Sequence, residues 1–127
     1  MSHAYVYIHL VFVTKNRMTF LKKNEVREEM IRHIKNQAAL KKFYLLEING
    51  WHDHLHVLVR LKTSQRIQDI AQQLKGESSR WMSEKLGMLQ FQWQKTYHAE
   101  SVGKSELTRV RLYIQNQVSH HDNKTTV

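Results

Sequence analysis

From Ala4 to Thr14 the chain alternates. Ala4, Val6, Ile8, Leu10 and Phe12 make a wholly apolar face, and Tyr5, Tyr7, His9 and Val11 a mixed one. Successive side chains of a strand point to opposite faces, so this pattern predicts a long strand with one oily side that helices must cover. The covering segments follow. After Asn24, read as an N-cap, Val26, Met30, Ile31, Ile34 and Ala38 recur at helical spacing. A second helix from near Gln65 carries Ile67, Ile70, Ala71, Leu74 and Trp81 on one stripe. Gly76 costs that helix roughly 1 kcal/mol relative to Ala, so close packing or a kink is expected there. Between the helices, Phe43 to Ile48 reads as a strand, Asn49-Gly50 as a turn, and about Asp53 to Leu61 as the partner strand. The region from Phe91 to Val102, with Trp93 and Tyr97, is strand-like. Ser105 is expected to cap a last helix carrying Leu107, Val110, Ile114 and Val118, with a frayed tail from about Asp122.

The order strand, helix, strand, strand, helix, strand, helix predicts an α+β fold. It is a ferredoxin-like antiparallel sheet (βαββαβ) with helices on one face and an extra C-terminal helix. The first and third strands then lie side by side in the middle, and the second sheet face is left for function. A chain of 127 residues is expected to form one domain, residues 1–127. With no cysteine, disulfides, thiolate metal sites and thiol nucleophiles are excluded, and packing alone must hold the fold.

Twenty Lys and Arg against eleven Asp and Glu leave a formal charge of +9, which calls for a polyanionic partner. The N-terminal apolar run is broken by His3, Tyr5, Tyr7 and His9, with no basic segment before it, so it does not read as a signal sequence. No run approaches the ~18 apolar residues of a membrane span. A soluble cytoplasmic protein acting on nucleic acid, with no membrane partner, is the expectation.

Two constellations could carry chemistry. In Asp53-His54-Leu55-His56-Val57-Leu58-Val59 the strand period puts His54 and His56 on one face and Leu55, Val57 and Val59 on the other. Imidazoles about 7 Å apart along a strand can converge on one cation; equally, two polar residues can line the wet side of an amphipathic strand. In Tyr113-Ile114-Gln115-Asn116-Gln117, Tyr113 and Gln117 stack one turn apart beside the apolar stripe of the last helix. Tyr113 is then either a boundary tyrosine shielding the core edge or a nucleophile whose neighbour offers an amide oxygen to a metal. Neither pattern decides alone.

Together they resemble the single-tyrosine transposases of small insertion sequences, members of the HUH endonuclease superfamily that move as single-stranded DNA. Four motifs carry the resemblance in order: Leu10 to Arg17 as first strand and basic exit, Asp53 to Val59 as metal motif, Leu74 to Ser79 in the second helix, and Tyr113 to Gln117 as nucleophile helix. The chain departs from the family at Lys62-Thr63-Ser64, where a proline is common, and no accessory DNA-binding domain is expected.

The resemblance implies that Tyr113 attacks a phosphodiester, leaving a 5′-phosphotyrosine and a free 3′-hydroxyl. It implies that His54, His56 and Gln117 hold a divalent Mg²⁺ or Mn²⁺, and that the substrate is single-stranded DNA with hairpin ends. It also implies a homodimer in which one subunit's tyrosine helix completes the other's site. Lys15, Arg17, Lys22, Lys23, Lys75 and Arg80 would position the strand. Trp51 and Trp93 could stack on bases, while the spacing of Trp81 favours the core. His9 should neighbour the metal strand, His52 lies on the same face as His54, and His120 and His121 read as tail residues. Leu112 lies off the core stripe, where a monomer would place a polar residue, and so hints at a partner subunit. The alternative is a non-catalytic ferredoxin-like nucleic-acid-binding protein, an inactivated or domesticated relative; binding alone requires none of Tyr113, His54, His56 and Gln117 together. A small zinc hydrolase lacks a nearby Glu base and a third strong ligand.

Overall fold

The computed structural model describes residues 5–118. Four strands, β1 (Val6–Val13), β2 (Tyr44–Gly50), β3 (His54–Leu61) and β4 (His98–Val102), form one antiparallel sheet in the order β2-β3-β1-β4. Three helices complete it: α1 (Asn24–Leu40), α2 (Ile67–Leu86) and α3 (Leu107–Gln115). This is the ferredoxin-like order with β1 and β3 central.

The alternation of β1 sorts its side chains as the sequence demands. Ile8, Leu10 and Phe12 join Leu55, Val57 and Val59 of β3 under α1 and α2, with Met30, Ile34, Ile70, Leu74 and Met82 completing that core. The second face is not left open. Tyr7, Leu58 and Val102 pack there with Ile114 of α3, flanked by Leu107 and Val110. The extra helix therefore lies on the face opposite α1 and α2, beside the histidines of β3.

Several local expectations are corrected. Asn24 is the first residue of α1, not its cap; its Oδ1 accepts from Arg27 Nη2 at 2.5 Å. Asn49 and Gly50 are the last residues of β2, and the chain turns through Trp51–Asp53 instead. Gly50 is needed there for close approach: a Cβ would lie 2.5 Å from the carbonyl oxygen of His54. Gly76 marks neither close packing nor a kink, since α2 runs through it and a Cβ there meets open space. Of the strand-like stretch from Phe91, only His98–Val102 pairs as a strand, with Trp93 forming a lone bridge to Thr14. The reason is the Lys75 ammonium, which takes the carbonyls of Gln94, Lys95 and Thr96 at 2.6, 3.1 and 3.4 Å. Ser105 lies inside a 3-10 turn, Lys104–Glu106, and caps nothing; Glu106 precedes α3. Helix α3 ends at Gln115, and after a turn at Asn116 the chain is helical again at Gln117 and Val118. Ala4, His120, His121 and the tail from Asp122 fall outside the described residues. Among the described residues no helix is long and apolar enough to cross a membrane.

Candidate active site

Register builds the site. Val11 of β1 faces His56 and Val13 faces His54, so both histidines emerge from the middle of the sheet on the α3 face. Their rings stand 5.1 Å apart and nearly perpendicular, at 84°. His9, two residues before Val11 on the same face, reaches diagonally to His56. Its Nε2 lies 2.8 Å from His56 Nδ1.

His54 is held from the other side. Its Nδ1–H donates to Asp53 Oδ1 at 2.8 Å, and Arg17 Nη1 donates to Asp53 Oδ2 at 3.2 Å. Burial alone would raise the Asp53 carboxyl, but the hydrogen bonds and charges of His54 and Arg17 outweigh it and hold the group below its usual range. A carboxylate can only accept, so His54 carries its proton on Nδ1 and turns Nε2 away from Asp53. Arg17 is delivered by a turn with two left-handed residues, Asn16 (φ 57°) and Arg17 (φ 52°). Buried Thr14 anchors that turn, donating from Oγ1 to the carbonyls of Met18 at 2.7 Å and Asp53 at 3.2 Å.

Helix α3 is clamped across the face by Glu47 on β2. Glu47 Oε1 accepts from Arg111 Nε at 2.9 Å and from Gln115 Nε2 at 2.8 Å, and Asn49 Nδ2 donates to the Gln115 carbonyl at 3.1 Å. This docking brings the Tyr113 ring edge-on to His56 in the same chain, with centroids 5.6 Å apart at 90°. Tyr113 remains 46 % exposed. A groove of about 580 Å³ opens beside it, bounded by His9, Glu100, Gly103, Glu106 and Arg109. Gln117 is fully buried, and among the described residues its Oε1 has no hydrogen-bond partner. Among the described residues no three His, Asp or Glu side chains are arranged to hold one metal ion. The donors that could hold a cation are thus two imidazoles and an amide oxygen. The buried, unsatisfied Gln117 oxygen fits that role, because a desolvated acceptor without a partner is costly unless something fills it.

Residues 2–117 match the family described as "Transposase IS200 like". The chain belongs to the IS200-like transposases. Its relatives include the transposases for insertion sequence element IS200 of Salmonella typhimurium and Salmonella typhi. Each is 27% identical over 117 residues, covering 87% of this chain and 75% of the relative. A protein from Deinococcus radiodurans described as a transposase shares the fold with a TM-score of 0.74 at 24% identity, covering 92% of this chain and 95% of that one. The REP-associated tyrosine transposase bound to a REP hairpin has a TM-score of 0.69 at 15% identity, with 95% and 73% covered.

The basic residues singled out in this IS200-like transposase are used unequally. Lys15, Lys22 and Lys23 are exposed near the Arg17 turn. Arg17 is committed to Asp53 and Arg80 to Glu77, at 3.2 and 2.5 Å. Lys75 is spent on the carbonyls after Trp93. Trp51 stacks on His52 with centroids 4.1 Å apart, and Trp81 stacks on His33 at 4.8 Å. Trp93 is buried and donates to Ser78 Oγ at 2.9 Å. Glu47 and the orienting role of Asp53 stand outside the residues that the sequence pattern singles out. An acid directly before the first histidine was the available signal for Asp53; nothing local marks Glu47.

Proposed function

We propose that this transposase cleaves and rejoins single-stranded DNA, with Tyr113 as nucleophile. The observation that carries the reading is Tyr113 standing edge-on to His56, next to a second imidazole whose proton Asp53 fixes. The phenolic oxygen forms a bond to phosphorus, the bond from phosphorus to the 3′ oxygen breaks, and that oxygen leaves as a hydroxyl. A 5′-phosphotyrosine remains and keeps the phosphodiester energy for rejoining. A neutral phenol must lose its proton to attack, and the phosphate gathers charge as it does so. His54, His56 and Gln117 would hold Mg²⁺ or Mn²⁺, which when bound supplies Lewis-acid neutralisation of that charge. The neutral donor set leaves room for substrate oxygens to complete the shell.

The substrate in this reading is single-stranded DNA with hairpin ends, met in the cytoplasm; a protein of the same fold is described as bound to a REP hairpin. Lys15, Lys22 and Lys23 offer exposed charge next to the Arg17 turn, while Lys75 and Arg80 lie on α2, across the sheet from α3. The reading includes a homodimer. Leu112, beside Tyr113 on α3 and 52 % exposed, offers it an apolar contact. Exchange of α3 between subunits would require release of the Glu47 clamp. Mixing Tyr113→Phe with His54→Ala/His56→Ala chains restores cleavage if subunits share sites; no restoration after verified exchange assigns each site to one chain.

The deciding experiment is incubation with labelled single-stranded element ends and Mn²⁺, followed by denaturing electrophoresis. A covalent protein–DNA adduct is expected. DNA binding without any adduct would instead favour a non-catalytic nucleic-acid-binding protein.

A further inference from the structure

At the end of the α3-covered sheet face remote from His54, cations and aromatic rings alternate across four segments of the chain. Lys104 Nζ lies 4.4 Å from the Tyr5 ring centre, and the Arg60 guanidinium lies 4.9 Å from the same ring. Arg60 also lies 5.6 Å from the Tyr44 ring, and Lys62 Nζ lies 5.3 Å from it on a further approach. The register explains the row: Arg60 of β3 is paired with Tyr44 of β2 and with Tyr7 of β1, two residues from Tyr5. Six residue steps along β3 lead from His54 to Arg60, a span of about 20 Å.

Two properties mark this row. Arg17, Arg80, Arg109 and Arg111 are each paired with a carboxylate. Among the described residues neither Lys62 nor Lys104 forms an ion pair; each rests on a tyrosine face, and Lys62 Nζ also donates to the Lys42 carbonyl at 2.7 Å, contacts that leave the charge in place. Both tyrosines are also more than half exposed, at 57 % and 53 %. A contact that served only the fold would gain by covering the rings. Lysines outside any ion pair, interleaved with open aromatic faces, match a single strand, whose phosphates need charge and whose unpaired bases need surfaces to stack on.

We propose that Lys104, Tyr5, Arg60, Tyr44 and Lys62 form a binding surface for single-stranded DNA. It lies on the face that carries Tyr113, with Arg60 about 20 Å from His54 and about 13 Å from His56 along β3. The proposal deepens the strand-cleavage reading and rests on it for the identity of the ligand.

The test uses the full chain in a Tyr113→Phe background, so that binding is read without cleavage, and a fluorescein-labelled oligodeoxythymidine strand as probe. Tyr5→Ala and Tyr44→Ala should each weaken binding roughly 5- to 100-fold, the loss of one stacked base. Lys62→Gln and Lys104→Gln should each reduce the slope of log affinity against log salt by about 0.7. Lys85→Gln, an exposed cation on α2, is the control and should change affinity less than the ladder variants. Melting by circular dichroism identifies any variant that fails to fold, and the lysine pair then carries the test. Wild-type affinity and salt slope in the folded variants would overturn the proposal. So would variants that lose only binding to phosphatidylserine vesicles and keep the oligonucleotide. The adduct assay on chains with Tyr113 intact separates the two readings. Adduct formation with unchanged ladder-variant binding sinks the ladder alone, whereas ladder-dependent binding with no adduct sinks the cleavage reading alone.

Discussion

His9 Nε2 and His56 Nδ1 stand 2.8 Å apart on adjacent central strands, so one ring must donate and the other accept. A metal ligand that binds through Nε2 keeps its proton on Nδ1; in the proposed metal-bound site His56 would therefore be the donor and His9 the acceptor. Burial lowers the pKa of His9, opposed by Glu100 and reinforced by His98, and so favours the neutral ring this requires. His9→Leu should weaken Mn²⁺ binding by about 10- to 100-fold, the usual loss when a ligand's orienting partner goes. His9→Gln, which keeps an acceptor, should recover most of it. Mn²⁺ titration followed by paramagnetic resonance reads both; wild-type affinity in His9→Leu would show that His56 needs no such partner.

Tyr113→Phe should abolish the covalent adduct and change stability by no more than about 0.5 kcal/mol, because the half-exposed ring stays and only its hydroxyl goes. Chelation of divalent ions should silence the wild type equally. An adduct surviving in the variant would move the nucleophile elsewhere, with Tyr97 first in line.

Glu47→Ala removes the acceptor for Arg111 and Gln115, at a cost of about 1–2 kcal/mol for two partly exposed hydrogen bonds, one of them charged at both ends. The loss should be local. Amide exchange in α3 should quicken while α1 keeps its protection, and the adduct yield should fall as Tyr113 loses its seat. Uniform exchange throughout the chain would show that α3 is held by Ile114 and its apolar neighbours alone.

Gly50→Ala sets a methyl group against the His54 carbonyl at 2.5 Å and the Leu55 side chain at 3.1 Å. Relief requires the start of β3 to shift, so a destabilisation of about 1–3 kcal/mol is expected in denaturant titration, together with weaker Mn²⁺ binding. Normal stability with normal metal binding would mean that the turn yields without disturbing His54.

What the sequence revealed and what it hid divide along physical lines. The faces of β1 and β3, and with them His54 and His56, were legible because a two-residue period leaves no freedom about which side points where. Tyr113 and Gln117 were legible as neighbours for the same reason at helical spacing. Asn49-Gly50 misled because turn propensity was overridden by the need for a side-chain-free position against His54. Phe91 to Tyr97 misled because its carbonyls are claimed by Lys75 from another element, which no local pattern announces. The His9–His56 contact and the tyrosine–cation row depend on strand register, a property of the assembled sheet.

The central pairing of β1 with β3 also governs when the chain becomes dangerous to DNA. His9 and His56 are 47 residues apart in sequence, and Tyr113 arrives only with the last helix. Contacts between such distant segments must overcome loop-closure entropy before they are rewarded, so they consolidate late in folding. A chain still leaving the ribosome, or one whose first strand has come loose, holds the histidines but not the constellation. The proposed strand-cutting chemistry therefore requires the completed sheet.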